Sequence, residues 1–396
     1  MATTPSAMNK DLPLPEDASP LLTSIIPNLH GGRGHVYGYH CAVAEAAKHL
    51  GWKHIALVTP DPAFTNLPES WRICLDQGNT DLKINPFRKL KGAYRWFTTL
   101  DRALREIPTH KQPTVILFEG FGSLQLGGLA ATLLLNRPAN THVWLLYYTD
   151  VHRSRISNIY LLLNKLIKNI LREGHFQLLT DSELLAESFA DYFGEPVTHV
   201  PMLPGSSPAI LDLPPTKTDI LCWWPGEPRW EKGLAVMQHL STLPSQALVL
   251  LAAEDSNLTS TPGGSRIQLL PMHLSEEEYL HWLAASDLIL LPYDQNTYQE
   301  RTSGIFLETI LAGKIPVVSQ GTWMAWQLSQ HQLSELVVDW YRNDLIEHLS
   351  FCARDPNLAE KIKKMQRHFQ RIHTVDGYAA AIKALFARSQ NRNTHH

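Results

Sequence analysis

Two glutamates bracket the segment in which this chain concentrates its chemistry. Glu300 and Glu308 flank "RTSGIFL" within "TYQERTSGIFLETILAGKIPVVS", residues 297–319, an E-x7-E spacing. Upstream, "ASDLILLPYD" reads as a short buried strand running into a polar loop. Downstream, "SGIFLETILAG" reads as an apolar helix closed by Gly313, and "KIPVVS" as another buried strand. Ser303 and Gly304 therefore stand near a helix start. The first N–H groups of a helix have no intrahelical partner and carry partial positive charge, which favours phosphate. Gly304 lacks a Cβ, so an anion can approach its backbone closely. Glu308 lies one turn further along the same face, where a carboxylate can accept from two neighbouring hydroxyls such as those of a ribose. Glu300 precedes the helix and is expected to be free to face a sugar. Together these parts suit a nucleotide diphospho-sugar. The plain alternative is a core helix with two solvated glutamates.

The elements around this segment form an α/β series. "DILCWWPG" is a strand, "EPRWEKG" a loop, "LAVMQHLSTLP" a helix, and "QALVLLAAE" and "SRIQLLPMHL" strands. "SEEEYLHWLAAS" is a helix with Ser275 as its N-cap and acids in its first turn. Arg229 and Lys232 then fall at the carboxyl end of the first strand of this series. Arginine can grip phosphate with two hydrogen bonds and lysine acts as a point charge, so both suit a departing diphosphate. A solvated turn is the other reading. Further on, Trp323, Met324 and Trp326 are candidates for a cleft wall or for core packing. "DPNLAEKIKKMQRHFQRI" and "DGYAAAIKALFARS" are amphipathic helices that either cover this sheet or cross back to the first half.

The first half opens as a βαβ unit. "LLTSIIPNL" is a strand, "HGGRGHVYGYH" a glycine-rich loop leading into a helix, and "KHIALVTPD" a second strand. Gly31, Gly32 and Gly34 let the loop turn tightly and a substrate approach its backbone. Gly32, Gly34 and Gly38, with Asp61 after the second strand, raise dinucleotide binding as a rival, but the last glycine spacing is one residue too long. "PTVILFEGFGS" and "THVWLLYYTDVH" are further strands. Glu119, Asp150 and His152 lie at their carboxyl ends, where open α/β sheets bind ligands. "FQLLTDSELLAESFADYFG" is a strand and helix with Thr180 and Glu183 in capping-box spacing, and "EPVTHVPML" closes the half. Two basic, apolar-striped stretches, "INPFRKLKGAYRWFTTLDRALREIP" and "HRSRISNIYLLLNKLIKNILREGH", read as solvated helix faces or as surfaces for an anionic acceptor or membrane.

Composition narrows the class. The 396 residues suffice for two cored domains, and 44% hydrophobic with 18% charged content describes a globular chain. A formal net charge of -3 gives no push towards nucleic acid. Cys41, Cys74, Cys222 and Cys352 form no C-x-x-C pair and fit a reduced, cytoplasmic protein. No signal segment or membrane-spanning run is expected. "PGSSPAILDLPPTKT" breaks the periodic pattern and marks a linker. The expected layout is a flexible 1–20, a first domain over 21–204, a linker over 205–218 and a second domain over 219–390, its last helix packing back on the first domain.

The order of these pieces resembles the retaining glycosyltransferases of the GT-B fold, especially the large family four, glycosyl transferases group 1. The resemblance runs over most of the chain, through "HGGRGH", "HLGWKH", "LLTDSELLAESF", "GEPRWEKG", "LSEEEYLHWLAASDLILLPYD" and "ERTSGIFLETILAGKIPVVS". It implies an α/β fold of two Rossmann-like domains with parallel sheets facing across a cleft. Glu308 resembles the ribose-binding glutamate and Glu300 the glutamate facing the donor sugar. The backbone at Ser303, Gly304 and Ile305 resembles the diphosphate cradle, and Lys232 the phosphate-binding lysine. Gly31 and Gly32 resemble the loop that closes over the donor, and His152, with Asp150 as competitor, the histidine ending a first-domain strand. Two positions depart from the pattern. Glu227 stands where the family has arginine, leaving Arg229 to fill that role, and Ser303 replaces a glycine. The implied activity is metal-independent, retaining transfer of a sugar from a nucleotide sugar, UDP- or GDP-linked, to a glycan or lipid-linked hydroxyl. That belongs to polysaccharide or glycolipid assembly, in the cytoplasm or peripherally on the inner membrane face. A non-catalytic sugar-nucleotide or glycan binder on the same fold is the alternative.

Overall fold

The computed structural model describes residues 19–29, 36–60, 67–76, 86–107, 112–136, 140–204, 219–245 and 247–391. Apolar runs in the first half make strands β1 (Leu21–Ile26), β2 (Lys53–Val58), β3 (Trp71–Ile73), β4 (Thr114–Glu119), β5 (Thr141–Tyr147), β6 (Phe176–Thr180) and β7 (Val197–His199). Between them run helices α1 (Val36–His49), α2 (Pro86–Arg105), α3 (Ser123–Asn136), α4 (Ser157–Ile170) and α5 (Glu183–Phe193). The second half adds strands β8 (Ile220–Trp223), β9 (Leu248–Ala253), β10 (Arg266–Leu270), β11 (Leu288–Leu291), β12 (Ile315–Ser319) and β13 (Val337–Val338). Its helices are α6 (Leu234–Thr242), α7 (Glu276–Ala285), α8 (Gln295–Tyr298), α9 (Gly304–Leu311), α10 (Trp323–Gln330), α11 (Leu345–Arg354), α12 (Pro356–Ile372) and α13 (Val375–Asn391).

The strands form two parallel sheets, ordered β3-β2-β1-β4-β5-β6-β7 and β10-β9-β8-β11-β12-β13. Both orders reverse direction beside the first strand of their series, between β1 and β4 and between β8 and β11. A crevice opens at such a switch point, outside the carboxyl ends of the strands. Burial on both faces explains why β4 and β11 read as unbroken apolar runs.

The first sheet carries a separate core on each face. One holds Trp96, Leu129, Tyr160 and Phe189 from α2 to α5. The other joins Val43 and Ala47 of α1 to Tyr378, Ile382 and Phe386 of α13. The Tyr39 and Tyr378 hydroxyls lie 3.0 Å apart in that core. Helix α12 instead packs Leu358, Ile362, Met365 and Phe369 into the core of the second sheet. Among the described residues, no helix is long and apolar enough to cross a membrane.

The cap of α5 differs from the expectation. Residue 182, not 180, caps α5: the Ser182 hydroxyl accepts from Leu185 N at 3.2 Å. The Thr180 hydroxyl accepts from Ser182 N, and the Glu183 carboxylate faces α10. The chain leaves β6 two residues later than a Thr180 cap requires. Of the two readings open for Trp323 and Met324, core packing holds, since both are buried.

Candidate nucleotide-sugar site

The switch point of the second sheet gathers most of the predicted donor-side residues. After β8 the chain turns at Gly226, whose φ of 88° favours glycine. It then makes one 3-10 turn over Trp230–Lys232 and turns again at Gly233. There φ is 89° and a Cβ would stand 2.2 Å from the Pro292 carbonyl oxygen. The loop after β8 thus lies flush against the end of β11, and Asp294 N donates to Glu231 O at 2.9 Å. This packing carries Lys232 inwards. Its Nζ lies 3.2 Å, and Ile305 Cδ1 3.3 Å, from the point a Cβ on Gly226 would occupy. Lys232, Gly226 and the first turn of α9 therefore converge. The Tyr293 ring sits 6.0 Å from the same ammonium. Burial, with the Arg229 guanidinium second, pulls the Lys232 pKa down to about 8, against the pull of Glu227 and Glu231. Arg229 stands at the rim, 3.2 Å from Glu231 and 3.8 Å from Glu227. The acid at position 227 therefore lies beside the arginine rather than displacing it.

Helix α9 begins at Gly304 with Ser303 as its N-cap, the hydroxyl accepting from Phe306 N at 3.2 Å. The backbone donors of Gly304 and Ile305 belong to the helix's first turn, the part that lacks intrahelical acceptors. One turn on, Glu308 is 2% exposed, and its Oε2 accepts from the Tyr279 hydroxyl at 2.7 Å. Tyr279 carries no signal in the sequence, because it reaches Glu308 from α7 and only the folded sheet brings them together. Its own pKa is pushed up by burial and by the Glu308 charge.

Glu300 is not free, contrary to expectation. It is 8% exposed and bound across to the first half of the chain. Arg153 Nη2 donates to its Oε1 at 2.6 Å and the Ser188 hydroxyl at 2.8 Å. His152 Nε2 lies 3.4 Å from Oε2, and the Ser182 hydroxyl donates to the Glu300 carbonyl at 2.5 Å. The neighbours follow suit. Arg301 Nε donates to Asp150 at 2.7 Å, and the Thr302 hydroxyl to Asp181 at 2.7 Å. The loop before α9 is thereby fastened to the loops after β5 and β6. Burial lowers the His152 pKa against the opposing pull of Glu300, and burial lifts Asp181 to about 7. Two buried atoms at this junction, His152 Nδ1 and Glu300 Oε2, find no hydrogen-bond partner among the described residues.

The predicted residues thus fall into two groups. Lys232, Ser303, Gly304, Ile305 and Glu308 belong to the cradle, with Arg229 at its edge. Glu300, His152 and Asp150 belong to the junction. Glu119 joins neither: it is buried at the end of β4, bonded to His40 and the Tyr148 hydroxyl. Gly31, Gly32, Gly34 and Asp61 lie outside the described residues. The sequence does not single out Arg153 and Ser188 because their partner is distant along the chain; "RSR" after "TDVH" is the one hint it offers.

No known family model matches the chain, and no curated protein matches it in sequence. Solved structures do. A trehalose-6-phosphate structure from E. coli, bound with UDP-2-fluoro glucose, superposes with a TM-score of 0.67 at 11% identity, covering 93% of this chain and 99% of that one. A UDP-forming α,α-trehalose-phosphate synthase from Burkholderia xenovorans gives 0.64 at 12%, covering 95% and 100%. Anabaena HepE in complex with UDP-glucose gives 0.60 at 11%, covering 93% and 99%. At such low identity the likeness speaks for architecture: two parallel-sheet α/β domains in the GT-B fold.

Proposed function

We propose that this chain is a retaining glycosyltransferase that moves a sugar from a UDP- or GDP-linked donor to a hydroxyl of a glycan or lipid-linked acceptor. The observation that carries the reading is the convergence of Lys232, Gly226 and the first turn of α9, with buried Glu308 one turn behind. A free sugar needs no such pairing of a phosphate cradle with a ribose-reading carboxylate. The structural neighbours solved with UDP-glucose and UDP-2-fluoro glucose support the same donor class.

In this reading Glu308 accepts hydrogen bonds from the ribose hydroxyls. Lys232, Arg229 and the α9 donors hold the diphosphate. The bond between the anomeric carbon and the diphosphate oxygen breaks while the acceptor oxygen bonds to the same face of that carbon. The acceptor proton passes to the leaving diphosphate. Negative charge grows on that diphosphate in the transition state, where Lys232 and Arg229 stabilise it without a metal. For Glu300 or His152 to meet the sugar in this reading, the contacts of Glu300 with Arg153 and Ser188 must rearrange.

A thermal-shift and hydrolysis screen with UDP-, GDP-, ADP- and CMP-sugars, with and without EDTA, tests the reading. A shift with one donor and slow, EDTA-insensitive hydrolysis is expected, since a ligand of the native state raises the melting temperature. Loss of hydrolysis with EDTA removes the metal-independent part. The second reading, a non-catalytic binder, is favoured by the engagement of Glu300 with Arg153 and Ser188. It predicts the shift without hydrolysis or transfer.

A further inference from the structure

A helix that only covers a sheet needs one apolar side. Helix α2 has two. Gly92, Trp96, Leu100 and Ala103 face inwards and are buried. On the outward side, Phe87 is 82% exposed, Leu90 70% and Tyr94 65%, at helical spacing. Helix α4 repeats the pattern: Tyr160, Asn164 and Ile167 are buried, whereas Ile159, Leu162 and Leu166 are exposed. Helix α3 joins them into one layer. A Cβ on Gly128 would stand 2.8 Å from the Trp96 ring of α2, and one on Gly127 4.0 Å from Leu163 of α4. Leu134 and Leu135 of α3 are exposed in the same layer.

The charge on this layer is one-sided. Helices α2 and α4 contain eight arginines and lysines (six and two) against one acid, Asp101, and α3 contains no charged residue; Arg105 pairs with Asp101 and Lys168 with Glu195. The chain as a whole is at -3. Exposed basic residues stand between the exposed apolar ones: Arg88, Lys91 and Arg95 on α2, Lys165 on α4. A second copy laid on this face would set like charges against each other. An anionic bilayer matches both features, since its headgroups attract the basic side chains and its acyl boundary takes the apolar ones.

We propose that the outward face of α2, α3 and α4 docks on an anionic lipid bilayer. His152 and Arg153, which contact Glu300, lie just before the first turn of α4, so the docking layer begins at the junction of the two sheets. The inference goes beyond the sugar-transfer reading and does not depend on it.

Sedimentation of the full chain with vesicles tests it, using phosphatidylcholine alone or with about one-third phosphatidylglycerol. At about 0.1 M salt, partitioning onto the anionic vesicles should exceed that onto neutral ones at least tenfold, and should fall at least tenfold at about 0.5 M salt. Lys91→Glu with Arg95→Glu should abolish the preference. Leu90→Ser with Leu162→Ser should weaken binding at equal salt, with an unchanged melting temperature. Equal partitioning onto both vesicles, or undiminished binding by the charge-reversed variant, overturns the proposal. So does a dimer in sedimentation velocity that Leu162→Ser dissolves, because a second copy then owns the face. The nucleotide-sugar shift, read on the same variants, should not move; its absence in the parent chain counts against the donor reading alone.

Discussion

Lys232 carries its ammonium into surroundings that oppose it, and burial leaves its pKa at about 8 rather than 10.5. Between those values the folded chain binds fewer protons than the unfolded one, so this residue makes stability rise with pH from about 8 to about 10.5. At pH 7 the charged form is present in both states and its burial is a net cost. Lys232→Met should therefore stabilise the ligand-free protein at pH 7, by on the order of 2 kcal/mol in denaturant titration. The same variant should lose nucleotide-sugar binding. A stabilising substitution that abolishes binding is the mark of a residue kept for function. The wild type should also bind donor less tightly as pH rises through about 8, by up to about tenfold per unit, while Lys232→Arg flattens that profile. A pH-independent affinity in the wild type would remove Lys232 from the phosphate site.

At the scale of elements, the turn between β8 and α6 sets where the lysine points. Gly233 combines a φ of 89° with a Cβ position 2.2 Å from the Pro292 carbonyl oxygen. Gly233→Ala should destabilise by about 3 kcal/mol or more, read as a lower denaturation midpoint, because both the turn and the packing on β11 must give. The loop before α9 is held from the other side. Arg153→Ala removes one of the donors to Glu300, and its side chain is 37% exposed, so the stability cost should be about 1–2 kcal/mol. Limited proteolysis should show faster cutting near residues 295–303 in that variant. Unchanged cutting would mean that Ser182, Ser188 and Arg301 hold the loop without Arg153. The strand–loop–helix–strand unit around Glu308 was legible because its signals are local: an apolar run, a serine cap, a glycine stop. Helix α3 was not read, since "SLQLGGLAATLLLN" is apolar on nearly every side and shows no clear 3.6-residue period. Strand β3 has three residues and only one neighbour in the sheet, too little pattern to mark it.

At the scale of the whole molecule, two parallel sheets of matching strand order set their loops against each other, and α12 and α13 divide between them. The fold class was legible because alternating strands and helices constrain topology strongly. The long-range partners were not. The position of Glu300 before a helix suggests a sugar ligand, yet the bonds that hold it come from Arg153, Ser188 and Ser182, far away in sequence. Periodicity and motif spacing describe neighbours along the chain and carry no information on which loops meet across a cleft. Tyr279 on Glu308 illustrates the same gap within one domain. In the proposed function the switch point of the second sheet binds a nucleotide sugar through Lys232, α9 and Glu308. The most direct test of that assignment is the melting temperature with UDP- and GDP-sugars, in the wild type and in Glu308→Gln, which keeps the shape of the side chain. One donor should raise the melting temperature of the wild type, with apparent affinity at least tenfold lower in Glu308→Gln. No shift with any nucleotide sugar, or an equal shift in the variant, would contradict it.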